Sequence, residues 1–229
     1  MEHKLSSLIK FKSRKILIAQ KPSGLSSQIN RDSNKSLQDL LEIYLKRKIN
    51  VISRLDRPVS GLVVFAMDRK SASVVSEWQR NNWIKKKYLA LVEKRPPAAE
   101  GRLEHFLLRN SKNRKAIVQN VKMSNSKKAV LNYKVLKNFE NYSLLEIQPE
   151  TGRFHQIRAQ LAYFGFPIKG DVKYGARRSN KDKAIHLHCH EIEFKTTESE
   201  KPTVILAEIP DTDGLWQDVS KFLNESNES

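Results

Sequence analysis

"SRLDRPVSGLVVFAM" fills residues 53–67 and divides into two parts. From Gly61 to Met67 it is a short run of branched apolar residues, which predicts a buried strand. Before that run, one carboxylate, Asp56, stands between two guanidinium groups, Arg54 and Arg57. Pro58 and Gly61 follow, residue types that set a tight and specific backbone path. An acid delivered at the mouth of a buried strand is held rigidly, as a nucleophile or general base requires. Asp is also an ordinary turn-capping residue, and this stretch alone leaves both readings open.

Upstream, "KILIAQKPSG" (15–24) predicts a strand ending in a Pro-Ser-Gly turn. "SLQDLLEIYLKRK" (36–48) predicts an amphipathic helix capped by Ser36, with Asp39 at the capping-box position and Leu37, Leu40, Leu41, Tyr44 and Leu45 as its apolar stripe. Downstream, "SASVVSEWQRNNW" (71–83) predicts a second helix. "KKYLALVEK" (86–94) alternates like a strand. "PPAAEG" (96–101) interrupts the pattern and is the candidate subdomain boundary. Strand-like segments follow at 116–121, 128–139 and 142–148. In "ETGRFHQIRAQLAYFGFPIKGD" (150–171), Phe154, Ile157, Leu161 and Phe164 predict a helix opened by Thr151 or Gly152 and stopped by Gly165 and Pro167. "AIHLHCHEIEF" and "TVILAEIP" are late strands, and residues 222–229 read as a frayed polar tail. Strands and helices mix without strict βαβ alternation. The prediction is therefore an α+β fold with a mixed, largely antiparallel sheet flanked by helices, in a single domain over 1–221.

The chain has 229 residues, 42 Lys+Arg against 25 Asp+Glu and a formal net charge of +17. Such a surface attracts polyphosphates. The basic clusters at 10–15, 109–115, 122–128 and 173–183 are spread along the chain, as expected of loops that converge on one face. No apolar run approaches the ~18 residues of a membrane span. The N-terminus does not read as a secretory signal, and a single cysteine, Cys189, excludes an internal disulfide, so the cytosol is the expected compartment.

Further candidates stand near these clusters. Arg158 lies at the edge of the 150–171 stripe, where an Arg either takes a carboxylate partner or snorkels. Arg153 lies in the expected first turn, where backbone N–H groups favour anions. Tyr88 follows three lysines, including Lys87, and opens a strand; it suits base stacking as well as ordinary half-burial. His186, His188 and His190 share a strand face, but further ligands at familiar zinc spacing are missing, so no metal is expected.

Taken in order, these segments resemble the RluA-type RNA pseudouridine synthase family. Its "NKPSGL" matches "QKPSGL" (20–25), and its "HRLDRxTSGLLLFA" matches "SRLDRPVSGLVVFA" (53–66). Its "KxYLAxV" matches "KKYLALV" (86–92), and its "TGRTHQIRVHLAxxGHPIxGDxxYG" matches "TGRFHQIRAQLAYFGFPIKGDVKYG" (151–175). The similarity runs from about residue 15 to about residue 210. It implies a catalytic cleft on one face, with Asp56 as the catalytic aspartate, Tyr88 packed on the target base and Arg158 paired with Asp56. The implied reaction isomerises uridine in RNA without metal or cofactor, on a base drawn out of its stack. One carboxylate suffices where no water is added; glycosidases use two.

The expected partner is ribosomal and/or transfer RNA, met by Arg54, Arg57, Lys87, Arg153, Arg177, Arg178, Lys181 and Lys183, with the protein a monomer. Ser53 and Val59 depart from the family's His and Thr, which puts substrate placement in question. About fifteen residues precede the first predicted strand, too few for the S4 RNA-binding domain of many relatives. The alternatives are a non-catalytic RNA-binding or chaperone protein of the same fold and a nucleotide hydrolase. The latter lacks a second acid in any recognisable motif.

Overall fold

The computed structural model describes residues 5–29 and 35–227. The chain forms two compact units, one of residues up to 85 together with those from 188 on, the other of residues 86–187. The candidate subdomain boundary at 96–101 lies inside the second unit, and the boundaries between the units fall within the strands Ile84–Glu93 and Leu187–Phe194, where no Pro/Gly linker marks them.

In the first unit, β1 (Ile9–Lys12), β2 (Ile16–Lys21), β4 (Ser60–Ala66) and β10 (Leu187–Phe194) lie in that order. β3 (Asn50–Val51) also pairs with β4, and β11 (Thr203–Leu206) pairs with β10. The β4–β10 pair is parallel and the rest are antiparallel. Every residue of β4 is buried, as its continuous apolar run predicts. Helix α1 (Leu37–Leu45) starts at Ser36, whose hydroxyl accepts the Asp39 N–H, while the Asp39 carboxylate accepts the Ser36 N–H. It buries Leu37 and Leu41 against Leu17, Val63 and Phe65, each such side chain contributing roughly 1.5–3 kcal/mol. Helix α2 (Arg69–Arg80) is capped by Asp68 and buries Val75 and Trp78.

Helix α4 (Gly214–Asn227) takes in residues 222–227, which the sequence reading left as a tail. Trp216 and Val219 are buried, and Leu223 continues their i, i+3, i+7 stripe. The stripe was legible, but the polar ending masked it.

The second unit is an antiparallel sheet in the order β5 (Ile84–Glu93), β9 (Tyr142–Pro149), β8 (Lys127–Asn138), β6 (Glu100–Asn110) and β7 (Lys115–Gln119). The first two residues of β5 belong to the first unit. β6 was not predicted. Its charged residues and the consecutive apolar run Phe106, Leu107 and Leu108 break the period-two alternation that marks a strand.

Helix α3 (Gln156–Tyr163) begins four to five residues later than expected and is not amphipathic. Its first six residues are all buried, and Ala159 packs against Leu107, Ala116 and Ala129. Gln160, fully buried, donates to the carbonyls of Leu103 and Ala129 at 3.2 Å each. Among the described residues no helix is long and apolar enough to cross a membrane.

Candidate active site

Asp56 sits half-buried in the loop between β3 and β4 of the first unit. That loop is tied to the turn after β2. Lys21, fully buried at the end of β2, donates from Nζ to the carbonyls of Pro22 (3.0 Å), Leu25 (2.8 Å) and Arg57 (3.3 Å). The Gly24 N–H donates to the Arg57 carbonyl, and Arg57 Nε donates back to the Gly24 carbonyl, both at 2.8 Å. Ser27 Oγ accepts the Leu55 N–H at 3.0 Å and donates to the Leu55 carbonyl at 3.1 Å. Two motifs joined by bonds that span 28 to 36 residues of sequence thus form one bonded assembly with Asp56 in its middle. Burial pulls the Lys21 ammonium down to about 7; the Asp56 charge opposes that pull and the Arg57 charge adds to it.

The strand after Asp56 is fixed on its other side. At Gly61, φ is +112°, and a Cβ would come within 2.3–2.7 Å of the Cys189 backbone, so only glycine fits the close parallel pairing of β4 with β10. Ser60 Oγ and His188 Nδ1 share a hydrogen bond of 2.8 Å. Burial, with the neighbouring His190, holds His188 down to about 3, so its ring is neutral at ordinary pH. The two departures from the family motif both serve the interior. Ser53 Oγ accepts the Val64 N–H at 3.2 Å, and Val59 is buried.

In the second unit, Tyr88 is buried on β5 opposite Ile147. Arg158, buried on α3, makes a bidentate pair with the buried Asp171, Nε to Oδ2 at 2.7 Å and Nη2 to Oδ1 at 2.8 Å. Asp171 was available in "PIKGD", thirteen residues on, but the sequence reading assigned Arg158 only to Asp56. Asp56 belongs to the first unit and Arg158 to the second.

The turn before α3 is built on Gln156, which was also missed. Its Oε1 accepts from Thr151 Oγ1 (2.8 Å) and the Arg153 N–H (3.0 Å), and its Nε2 donates to the Val130 carbonyl (3.0 Å). His155, the N-cap, lies in the left-handed region at φ +51°. Its Nδ1 bonds the Tyr174 hydroxyl at 2.9 Å, and that hydroxyl accepts the Ala116 N–H at 2.7 Å.

The expected RNA-contacting residues divide by what else holds them. Arg57 donates to the Gly24 carbonyl and Arg153 to the Lys128 carbonyl (2.9 Å). Arg177 is ion-paired with Glu93 at 3.4 Å. Lys87 is half-buried on β5, whereas Arg54, Arg178, Lys181 and Lys183 are exposed. The 173–183 loop is pinned by Asn180, which accepts from Lys169 Nζ at 2.9 Å and donates to the Ala184 carbonyl at 2.8 Å. Two of the basic segments meet here. Lys115 Nζ lies 5.9 Å from the centre of the Tyr174 ring, and Lys173 is held below the usual ammonium range by burial and then by Arg158, Lys115 and Arg114.

Comparison with known proteins places these motifs. The sequence profile described as RNA pseudouridylate synthase matches residues 15–163. An RNA pseudouridine synthase of Zymomonas mobilis, itself uncharacterised, is 32% identical over 90% of this chain and 95% of its own length. Ribosomal large subunit pseudouridine synthase D of Borreliella burgdorferi is 31% identical over 78% of this chain, which spans 58% of that protein. Among solved structures, human RNA pseudouridylate synthase domain containing 4 aligns with a TM-score of 0.78 at 22% identity, over 96% of this chain and 95% of that one. This last likeness is one of fold.

Proposed function

The chain belongs to the RNA pseudouridylate synthase family, in its RluA-type branch, and on that premise we propose that it isomerises uridine to pseudouridine in ribosomal RNA with Asp56 as the catalytic carboxylate. The supporting observation is the Asp56 loop itself, a carboxylate on backbone tied at Lys21, Gly24 and Ser27. Such rigid placement is what a reacting group requires.

The reaction breaks the N1–C1′ bond, turns the uracil, joins C5 to C1′ and returns the C5 proton to solvent. No atom enters, so one acid is enough. Asp56 would act as nucleophile at C1′ or as base at the 2′ carbon, and both roles need it ionised. We assign Arg158 the counter-charge that keeps it so, and Tyr88 the packing of the target base. Asp171, holding Nε and Nη2 of Arg158, would set the direction of that guanidinium. The relatives named as large-subunit ribosomal synthases support ribosomal RNA as substrate and the cytoplasm as the place of action.

The test incubates purified protein with large-subunit ribosomal RNA from cells lacking the gene and maps new pseudouridines. Transfer RNA from the same cells is the second arm. Wild type forms pseudouridine at defined positions in ribosomal RNA. Asp56→Asn forms none and keeps its melting temperature. Turnover by the Asn variant, with deamidation excluded, overturns the assignment, and modification of transfer RNA alone overturns the substrate.

A further inference from the structure

The second unit carries a layered stack that the reaction chemistry does not require. Phe154 lies face to face with His155, the ring centroids 3.8 Å apart and the planes 19° from parallel. The guanidinium of Arg109, an exposed residue at the end of β6, covers the Phe154 ring with its carbon 4.8 Å from the centroid. Neighbouring residues stack in this way because His155 is in the left-handed region, an uncommon conformation for a residue with a Cβ. That conformation is held from outside. The Tyr174 hydroxyl accepts the Ala116 N–H and shares a hydrogen bond with His155 Nδ1. Tyr174 also stands edge-on to the His155 ring at 5.6 Å. A strained residue kept in place by a second element points to use rather than to packing alone.

The surroundings indicate the ligand. Lys115 lies over the Tyr174 ring, and Lys173 is held below the usual ammonium range first by burial and then by the charges of Arg158, Lys115 and Arg114, with Asp171 opposing them. Like charges gathered in this way are relieved by a polyanion. A flat stack ending in a guanidinium, beside a knot of cations, fits a nucleotide chain: bases stack on aromatic rings and on Arg planes while cations meet phosphates.

We propose that Arg109, Phe154 and His155 form a stacking platform for an unpaired base of the substrate RNA outside the reacting uridine, with Arg114, Lys115 and Lys173 on the adjoining phosphates. The platform rests on the reading of the protein as an RNA-modifying enzyme, and it adds a contact that holds RNA rather than one that reacts.

The test uses two fluorescein-labelled ten-nucleotide RNAs, one of adenylates and one wholly abasic, so that phosphates are common and bases are not. Wild type binds the adenylate probe more tightly. Phe154→Leu, which keeps apolar volume against Leu107 and Ala159, should lose about five- to a hundredfold on the adenylate probe, the range for one stacked base, and nothing on the abasic probe. Phe154→Tyr should restore the difference. Lys115→Ala should weaken both probes alike. Equal affinity of wild type and Phe154→Leu for the adenylate probe, or an equal loss on both probes, overturns the platform. Neither result touches the functional reading, which stands or falls on pseudouridine formation by wild type.

Discussion

The Asp56 loop and the Arg158 helix each fix a charged side chain by opposite means. In the first unit the anchoring charge, Lys21, is surrounded by backbone carbonyls, and the loop is further tied through the Gly24 and Arg57 main chain, the Arg57 side chain and Ser27. In the second unit Arg158 is bound in a buried bidentate pair by an opposite charge, with the Tyr174 ring 5.1 Å from its guanidinium carbon. Dipoles satisfy an ion without neutralising it, whereas an opposite charge neutralises it. The first arrangement suits a loop that presents a working anion. The second suits a cation whose direction matters more than its net charge.

The sharpest way to break the contrast is to remove the partner of the paired cation. Asp171→Ala leaves the Arg158 guanidinium buried without that carboxylate, which should cost about 3–5 kcal/mol of stability, read as a lower urea midpoint. Replacing both residues by Leu should recover much of the loss, since a packed apolar pair is often as stable as a buried ion pair. Pseudouridine formation should not return with it. If the double variant is as active as wild type, Arg158 is structural only.

Next in size is the glycine that seats the Asp56 strand. Gly61→Ala places a Cβ against the Cys189 backbone at a φ of +112°. The expected loss is about 1–3 kcal/mol from overpacking, with added backbone strain. Turnover should fall further than the stability loss alone would explain, because the displaced strand carries Asp56 with it. Gly24→Ala, also at positive φ but with open space around its Cβ, is the control for strain without the clash.

How much of this was legible follows from the range of each interaction. The cap of α1 lies within four residues, so Ser36 and Asp39 could be read directly, as could the apolar run of β4. Charged residues and broken alternation concealed β6. The start of α3 was set by Gln156 reaching Val130, a contact across 26 residues that no helical stripe encodes. Asp56, Tyr88 and Arg158 stood out from their local residues, and the family motifs supplied their roles. The work of Lys21 was invisible although "QKPSGL" was in view, because its third carbonyl belongs to a residue 36 positions away. The division into two compact units has no local signature in the sequence, because its boundaries lie within β5 and β10.

The smallest effect is the most discriminating, because it concerns the dipole-held charge itself. The Lys21 ammonium sits at about 7 in the folded chain against an ordinary 10.5, held down by burial and by Arg57 and partly supported by Asp56. Between those two values the unfolded chain keeps a proton that the folded chain has shed, so stability rises with pH across that window, by about 1 kcal/mol from pH 7 to pH 8. Below pH 7 both states hold the proton and this contribution is flat at its least favourable.

Catalysis should run the other way. An ammonium has three protons for the carbonyls of Pro22, Leu25 and Arg57, whereas a neutral amine has two, so one tether of the Asp56 loop is lost as Lys21 deprotonates. Wild type should therefore become more stable and slower over the same pH step. Lys21→Met, similar in length but without charge, should be slow at both pH values and should lack this rise in stability. Urea melts and single-turnover rates at pH 7 and pH 8, on wild type and variant, decide it. If wild type and Lys21→Met change in parallel between the two pH values, Lys21 does not titrate there and holds the loop in one protonation state throughout.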